Sequence, residues 1–250
     1  MSLTFRDRLR KRDLLLGTMV TLTDPAVPEI LAELGFDWLF IDGEHGPYDT
    51  GILLELLRAA SHRTACVVRV AAAEEARIKT VLDLGAEGVI VPMVNSPEQA
   101  ADVVRWARYA PLGGRGVGLG RAQGYGLRFR DYVASANDRV AVIVQAEHRD
   151  AVANIEAIVN VPGIDAVQLG PYDLAASMGL MGQVDHPDVK AAIDHVITTC
   201  LAADVPVGWF SVSVDAAQPY IDRGCTLMTT GVDTLLLAGA ARGLLQSLRT

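Results

Sequence analysis

The stretch that decides the fold is ACVVRV at 65–70, ARIKTVLDLG at 76–85 and GVIVPM at 88–93. Two short apolar runs, rich in Val and Ile, flank a segment in which Ile78, Val81 and Leu82 recur at helical spacing. Gly85 stands where that helix must stop, as a left-handed C-cap does. A helix-length crossover between two predominantly apolar strands makes the strands parallel and covered on both faces.

The same alternation continues in both directions. Further strand-like runs are LLLGTMV at 14–20, WLFID at 38–42, VAVIVQAE at 140–147, DAVQLG at 165–170, VPVGWF at 205–210 and TLMTTG at 226–231, which brings the total to eight. Helical patterns lie at 26–35, 50–60 and 96–108, and Gly35 and Gly224 take stop positions like that of Gly85. Eight strand–helix units without a break in composition predict one α/β domain over residues 1–250, closed as a TIM (β/α)8 barrel. An open doubly wound sheet is the alternative.

Composition narrows the function. Half of the 250 residues are hydrophobic and 21% are charged, the balance of a globular protein with a sizeable core. A net charge of −8 argues against nucleic acid as a partner, because phosphate-backbone binders gather Lys and Arg. Cys66, Cys200 and Cys225 are too widely spaced for a metal motif, and their odd number suits the reducing cytoplasm. The charged run RDRLRKRD at 6–13 is not followed by the apolar stretch of a signal peptide or membrane span, so no membrane association is expected.

In a barrel the reacting groups sit at the C-terminal ends of the strands. Here those ends are polar: Asp42-Gly43-Glu44-His45, Arg69, Gln145-Ala146-Glu147-His148, and Gly170-Pro171-Tyr172-Asp173. Glu147 and Asp173 come from neighbouring strands and offer hard oxygen ligands for a divalent cation, or form ion pairs with Arg149 or Arg69. Arg69 closes an apolar strand and either clamps a carbonyl oxygen or pairs with Asp42 or Glu44. His45, three residues after Asp42, is expected to have its imidazole tautomer fixed by that carboxylate and to serve as acid or base. The amides of Tyr172 and Asp173 open a short helix and can face a substrate carboxylate, or belong to an ordinary Gly-Pro turn. His148 adjoins Glu147, and the other histidines read as structural.

Two connections are long, 109–139 and the one containing GPYDLAASMG at 170–179, and both are expected near the site. PLGGRGVGLGRAQGYG at 111–126 has neither GxGxxG register nor a GK[ST] ending, so no nucleotide is expected; a mobile lid or a subunit contact fits better. Arg115 and Arg121 within it read as solvated unless they meet an anionic substrate. Lys11, Lys79 and Lys190 are the only lysines and none ends a strand, which argues against a Schiff-base lysine.

The ordered set IDGEHGP at 41–47, VVRV at 67–70, VPMV at 91–94, RGVG at 115–118, QAE at 145–147, GPYDLAASMG at 170–179 and GVDTLLLAGA at 231–240 resembles the HpcH/HpaI aldolase family, and within it the class II pyruvate aldolases. The resemblance covers nearly the whole chain. It implies a phosphoenolpyruvate/pyruvate-type barrel, a homo-hexamer built from swapped dimers, and reversible retro-aldol cleavage of 4-hydroxy-2-oxo acids to pyruvate and an aldehyde through a metal-stabilised enolate. By position, Glu147 and Asp173 would hold Mg2+, Mn2+ or Co2+ with Gln145 beside them. Arg69 would hold the C2 oxygen, His45 oriented by Asp42 would move the C4-hydroxyl proton, and the amides of Tyr172 and Asp173 would take the carboxylate. Tyr172, the 119–129 segment, and Trp209 and Phe210 at the end of the seventh strand depart from the family pattern and imply a bulkier aldehyde pocket. A metal-dependent hydrolase on the same carboxylates and a non-catalytic 2-oxo-acid-binding protein are the competing readings.

Overall fold

The computed structural model describes residues 3–249. Eight parallel strands close on one another in sequence order, β1 Leu15–Val20, β2 Trp38–Asp42, β3 Ala65–Arg69, β4 Gly88–Val91, β5 Ala141–Ala146, β6 Ala166–Leu169, β7 Val207–Ser211 and β8 Leu227–Val232. The barrel is therefore closed, and the open sheet is excluded.

Helix α1 (Phe5–Arg10) precedes the barrel, and α2 (Ala26–Glu33), α3 (Thr50–Ala60), α4 (Glu75–Asp83) and α5 (Pro97–Ala107) follow the first four strands. Then come α6 (Phe129–Arg139), α7 (Arg149–Ala153), α8 (Ile155–Val159), α9 (Pro171–Ser177), α10 (Pro187–Ala202), α11 (Val214–Asp222) and α12 (Asp233–Arg249). Gly35, Gly85 and Gly224 all have positive φ, so the stop positions read from sequence are left-handed turns. Among the described residues no helix is long and apolar enough to cross a membrane.

Strand alternation sorts the apolar residues into two cores. Leu15, Trp38, Phe40, Val67, Ile90, Ile143 and Leu227 fill the barrel interior, while Leu39, Ile41, Val68, Val89, Val142 and Val167 face the helices. Phe5 and Leu9 of α1 plug the interior from the N-terminal end. Arg6 and Arg10 there reach Asp165 at 2.8 and 3.1 Å, and Arg108 reaches its other oxygen at 2.9 Å. The charged N-terminal run is thus a seal on the barrel floor. Its sequence gives no sign of this, because the acidic partner lies 159 residues away from Arg6.

The 109–139 connection departs from expectation in two ways. Its last 11 residues are helix α6. More consequentially, it links α5 to β5 and so lies at the strands' N-terminal ends, opposite the mouth; it is not a lid over its own barrel. Arg115 and Arg121, read from sequence as solvated, are held against the protein instead. Arg115 is buried, paired with Asp83 at 2.7 Å, and its guanidinium sits over the rings of Tyr109 and Tyr132 at 4.6 and 5.7 Å. Arg121 donates to the carbonyl of Leu84 at 2.9 Å and to Ser61 Oγ at 2.8 Å.

Candidate active site

At the C-terminal mouth the inward-facing ends of the strands enclose a cavity of roughly 230 Å3, lined by Met19, Phe40, Asp42, His45, Arg69, Gln145, Gln168, Leu169, Gly170, Pro171, Tyr172, Asp173 and Phe210. The polar positions follow from period-two alternation: Asp42 continues the inward series of Trp38 and Phe40, Arg69 that of Val67, and Gln145 that of Ile143.

Register brings Arg69 and Asp42 directly opposite one another. Arg69 Nε and Nη2 donate to the two Asp42 oxygens at 2.9 and 2.8 Å, Nη1 lies 3.1 Å from Glu44 Oε2, and the guanidinium sits 5.2 Å from the centre of the Phe40 ring. A buried guanidinium so held has one fixed orientation. Asp42 also accepts from the backbone amides of Glu44 and His45 at 3.2 and 3.3 Å.

This corrects one sequence expectation. Asp42 is occupied by Arg69 and by the loop backbone, and the carboxylate nearest the His45 imidazole is Glu44, at 3.7 Å from Nε2. Three residues along a tight turn bring the backbone of His45 to Asp42 and turn its ring outward, where it is exposed at the rim. Burial pushes the Glu44 carboxyl above its ordinary range, partly offset by Arg69.

Glu147 is 3% exposed and follows the last residue of β5. The amide of Met93 donates to its Oε1 at 2.9 Å, and Gln145 Nε2 donates to its Oε2. Met93 adopts φ of 54°, an uncommon conformation outside glycine that aims this amide at the carboxylate. Gly170 is required on the other side, since a Cβ there would lie 2.7 Å from Glu147 Cβ. Burial, reinforced by the negative charges of Glu44 and Asp173, pushes the Glu147 carboxyl up to about 7. Asp173, on the first turn of α9, is exposed and forms no ion pair among the described residues. The first bond of that helix runs from Leu174 N–H to the Gly170 carbonyl at 3.0 Å, which leaves the amides of Tyr172 and Asp173 ahead of the ladder.

The mouth therefore holds Asp42, Glu44, Glu147 and Asp173 against the single guanidinium of Arg69. Among the described residues no three His, Cys, Asp or Glu side chains form a metal cage. Two oxygen donors, one of them buried and destabilised by its neighbours' charge, nonetheless fit a hard divalent ion whose other positions are filled by water and substrate. The competing ion pair of Glu147 with Arg149 or Arg69 is not formed; Glu147 is bonded to Met93 and Gln145.

His148 accepts from the Asp150 amide at 3.1 Å as the N-cap of α7, a structural role. Phe210 lines the cavity, but Trp209 does not, because the adjacent position on a strand faces the other way; it stacks on Tyr220 with ring centres 3.4 Å apart. Sequence reasoning missed Met19, Phe40 and Gln168 as cavity walls, and Met93 as a donor. The spacing Phe40–Asp42 and Gln168–Gly170 carried the signal for two of them, whereas the backbone turn at Met93 left none.

The chain is similar to known proteins over nearly its whole length. "Hydroxypyruvate/pyruvate aldolase" of Cupriavidus necator is 44% identical over 248 residues, 98% of this chain and 92% of that one. "4-hydroxy-2-oxo-heptane-1,7-dioate aldolase" of Salmonella dublin is 40% identical over 243 residues, 96% of this chain and 92% of that one. The crystal structure of an HpcH/HpaI aldolase/citrate lyase family protein from Burkholderia cenocepacia superposes with a TM-score of 0.95 at 39% identity, covering 98% of both chains. The profile described as HpcH/HpaI aldolase/citrate lyase matches residues 16–240, and the chain belongs to that family.

Proposed function

We propose that the protein is a class II carbon–carbon lyase that cleaves 4-hydroxy-2-oxo acids to pyruvate and an aldehyde, reversibly, with one barrel as the catalytic unit of each subunit. The observation that carries the reading is the juxtaposition, in one cavity, of a fixed guanidinium, the Asp173 carboxylate, a histidine at the rim and Gln145, which holds the Glu147 carboxylate beside the cavity wall. Relatives named as aldolases over nearly the full chain support it.

In this reading the amides of Tyr172 and Asp173 receive the substrate carboxylate, and Arg69 faces the C2 oxygen. His45 takes the proton of the C4 hydroxyl as the C3–C4 bond breaks; the bonding electrons move to the C2 oxygen, which Arg69 holds, and C3 is then protonated to give pyruvate. Mg2+, Mn2+ or Co2+ bound by Glu147 and Asp173 would supply positive charge that polarises the 2-oxo group. Gln145 and the Met93 amide fix the Glu147 carboxylate for that purpose. No lysine lines the cavity, which favours this route over a Schiff base.

The protein is further read as a cytoplasmic homo-hexamer built from swapped dimers, acting on small molecules alone. Support for assembly comes from α12, of which only Asp233 is buried, and from the exposed Leu112, Val117, Leu119 and Leu127 of the 111–126 region and its flank.

The test is incubation with several 4-hydroxy-2-oxo acids and Mg2+, with pyruvate read by lactate dehydrogenase and NADH. Release of pyruvate that chelator abolishes and borohydride does not is the expected result. No pyruvate from any chain length would sink the reading.

A further inference from the structure

Gln168 is a buried polar side chain of the cavity wall for which the reaction above has no use. It is 2% exposed and points inward from β6, level with Gln145 on one side and Gly208 on the other. Gln145 is engaged with Glu147, but among the described residues the Gln168 carboxamide has no hydrogen-bond partner, and its Oε1 is sealed from solvent. Space for it exists because β7 has glycine opposite: a Cβ on Gly208 would collide with Gln168 Oε1. A buried amide without partners is costly, so the position is suited to something that binds there.

The chemistry of the occupant follows from what the rest of the wall already satisfies. In the proposed reaction the carboxylate and the C2 oxygen of the donor are met by the α9 amides and Arg69, and the aldehyde enters at the rim beside exposed His45. What remains of the donor is the substituent on C3. A methyl group offers nothing to a carboxamide, whereas a hydroxyl oxygen accepts from its Nε2, the end that is not sealed against Gly208.

We infer that Gln168 is a specificity-determining residue that hydrogen-bonds a hydroxyl on C3 of the donor, so that the site takes 3-hydroxy-2-oxo acids such as hydroxypyruvate in preference to what an apolar wall would allow. The inference rests on the aldolase reading. Gly208 is its complement, since any larger residue there displaces the amide.

Two measurements test it. In the first, kcat/KM is determined for hydroxypyruvate and for pyruvate with glycolaldehyde and Mg2+ at fixed concentrations, in the wild type and in Gln168→Met. The hydroxypyruvate-to-pyruvate ratio is expected to fall about tenfold. A fall of less than threefold, including an equal loss with both donors, overturns the inference, because a purely structural glutamine moves both donors together. In the second, calorimetry compares glycerate with lactate, unreactive pairs that differ in the C3 hydroxyl, on wild type, Gln168→Met and Gly208→Ala. Both variants are expected to lose at least threefold of the preference for glycerate, and a preference unchanged in both overturns the proposal. If neither donor reacts in the wild type, the aldolase reading fails, while the glycerate-to-lactate ratio still decides the role of Gln168.

Discussion

Asp42 meets Arg69 directly across the β2–β3 ladder and takes its guanidinium with both oxygens, at 2.9 and 2.8 Å. An amide in place of the carboxylate keeps one acceptor and turns an NH2 toward the guanidinium, so Arg69 loses its fixed orientation. Asp42→Asn should therefore raise KM for the 2-oxo acid by about tenfold or more and cost about 3 kcal/mol of stability, as truncating a buried pair does. His45→Ala, exposed at the rim, should lower kcat with little change in Tm. Steady-state kinetics and thermal unfolding separate the two; identical kinetic defects would return Asp42 to the role of partner to the imidazole.

Proton and metal should compete at Glu147, whose carboxyl burial has pushed up to about 7 from an ordinary 4.5. The sign follows from linkage: with the folded-state value raised, the native protein binds the extra proton, and metal-free stability falls as pH rises from about 4.5 to about 7. The loss is on the order of 3 kcal/mol, and above pH 7 it is complete. A divalent cation relieves the same charge, so the Tm gain on adding Mn2+ should be larger at pH 8 than at pH 5.5. Differential scanning calorimetry at the two pH values checks it, and Glu147→Gln should remove the difference. A Tm gain that is the same at both pH values would contradict it.

The barrel was legible because its evidence is local. Val67, Val68, Val89 and Ile90 form uninterrupted apolar runs, and helices such as 50–60 begin and end where the sequence says they should. Polar residues at strand ends marked the mouth for the same reason. What was not legible depends on partners distant in sequence or on which way one side chain faces. The seal of Arg6 and Arg108 on Asp165 is of the first kind. Trp209 pointing into the helix layer while Phe210 points into the cavity is of the second, since a one-residue difference in alternation reverses the face. The 109–139 segment was misplaced through its length: a long loop invited a role over the mouth, but an α-to-β connection ends at the opposite pole.

That segment carries its own expectation. Arg115 holds it by pairing with Asp83 and lying over Tyr109 and Tyr132. Lysine cannot reproduce the planar contact, so Arg115→Lys should destabilise by about 1–2 kcal/mol and Arg115→Ala by more. Limited proteolysis should cut within 111–126 faster in both, in the order Ala, Lys, wild type. Equal cleavage in all three would mean that the loop is held by other contacts.

Helix α12 presents Leu235, Leu236, Leu237, Leu244, Leu245 and Leu248 to solvent in the single chain. Beyond its first turn, where Asp233 is buried and bonded to Thr21 and Leu22, the helix has little to hold it helical in the single chain, because isolated helices of this length are marginal in water. Leucines at 237, 244, 245 and 248 share neighbouring positions on the helix and form a surface that a second chain can cover. Each leucine buried contributes roughly 1.5–3 kcal/mol, so replacing two of them weakens association by about 3–6 kcal/mol, several orders of magnitude in the dissociation constant. Leu244→Asp with Leu248→Asp should convert the assembly to smaller species in sedimentation velocity at micromolar concentration and lower the helical signal in circular dichroism. The wild type should sediment as an oligomer. A monomeric wild type, or an unchanged assembly in the double variant, would show that α12 is not the surface through which the subunits associate.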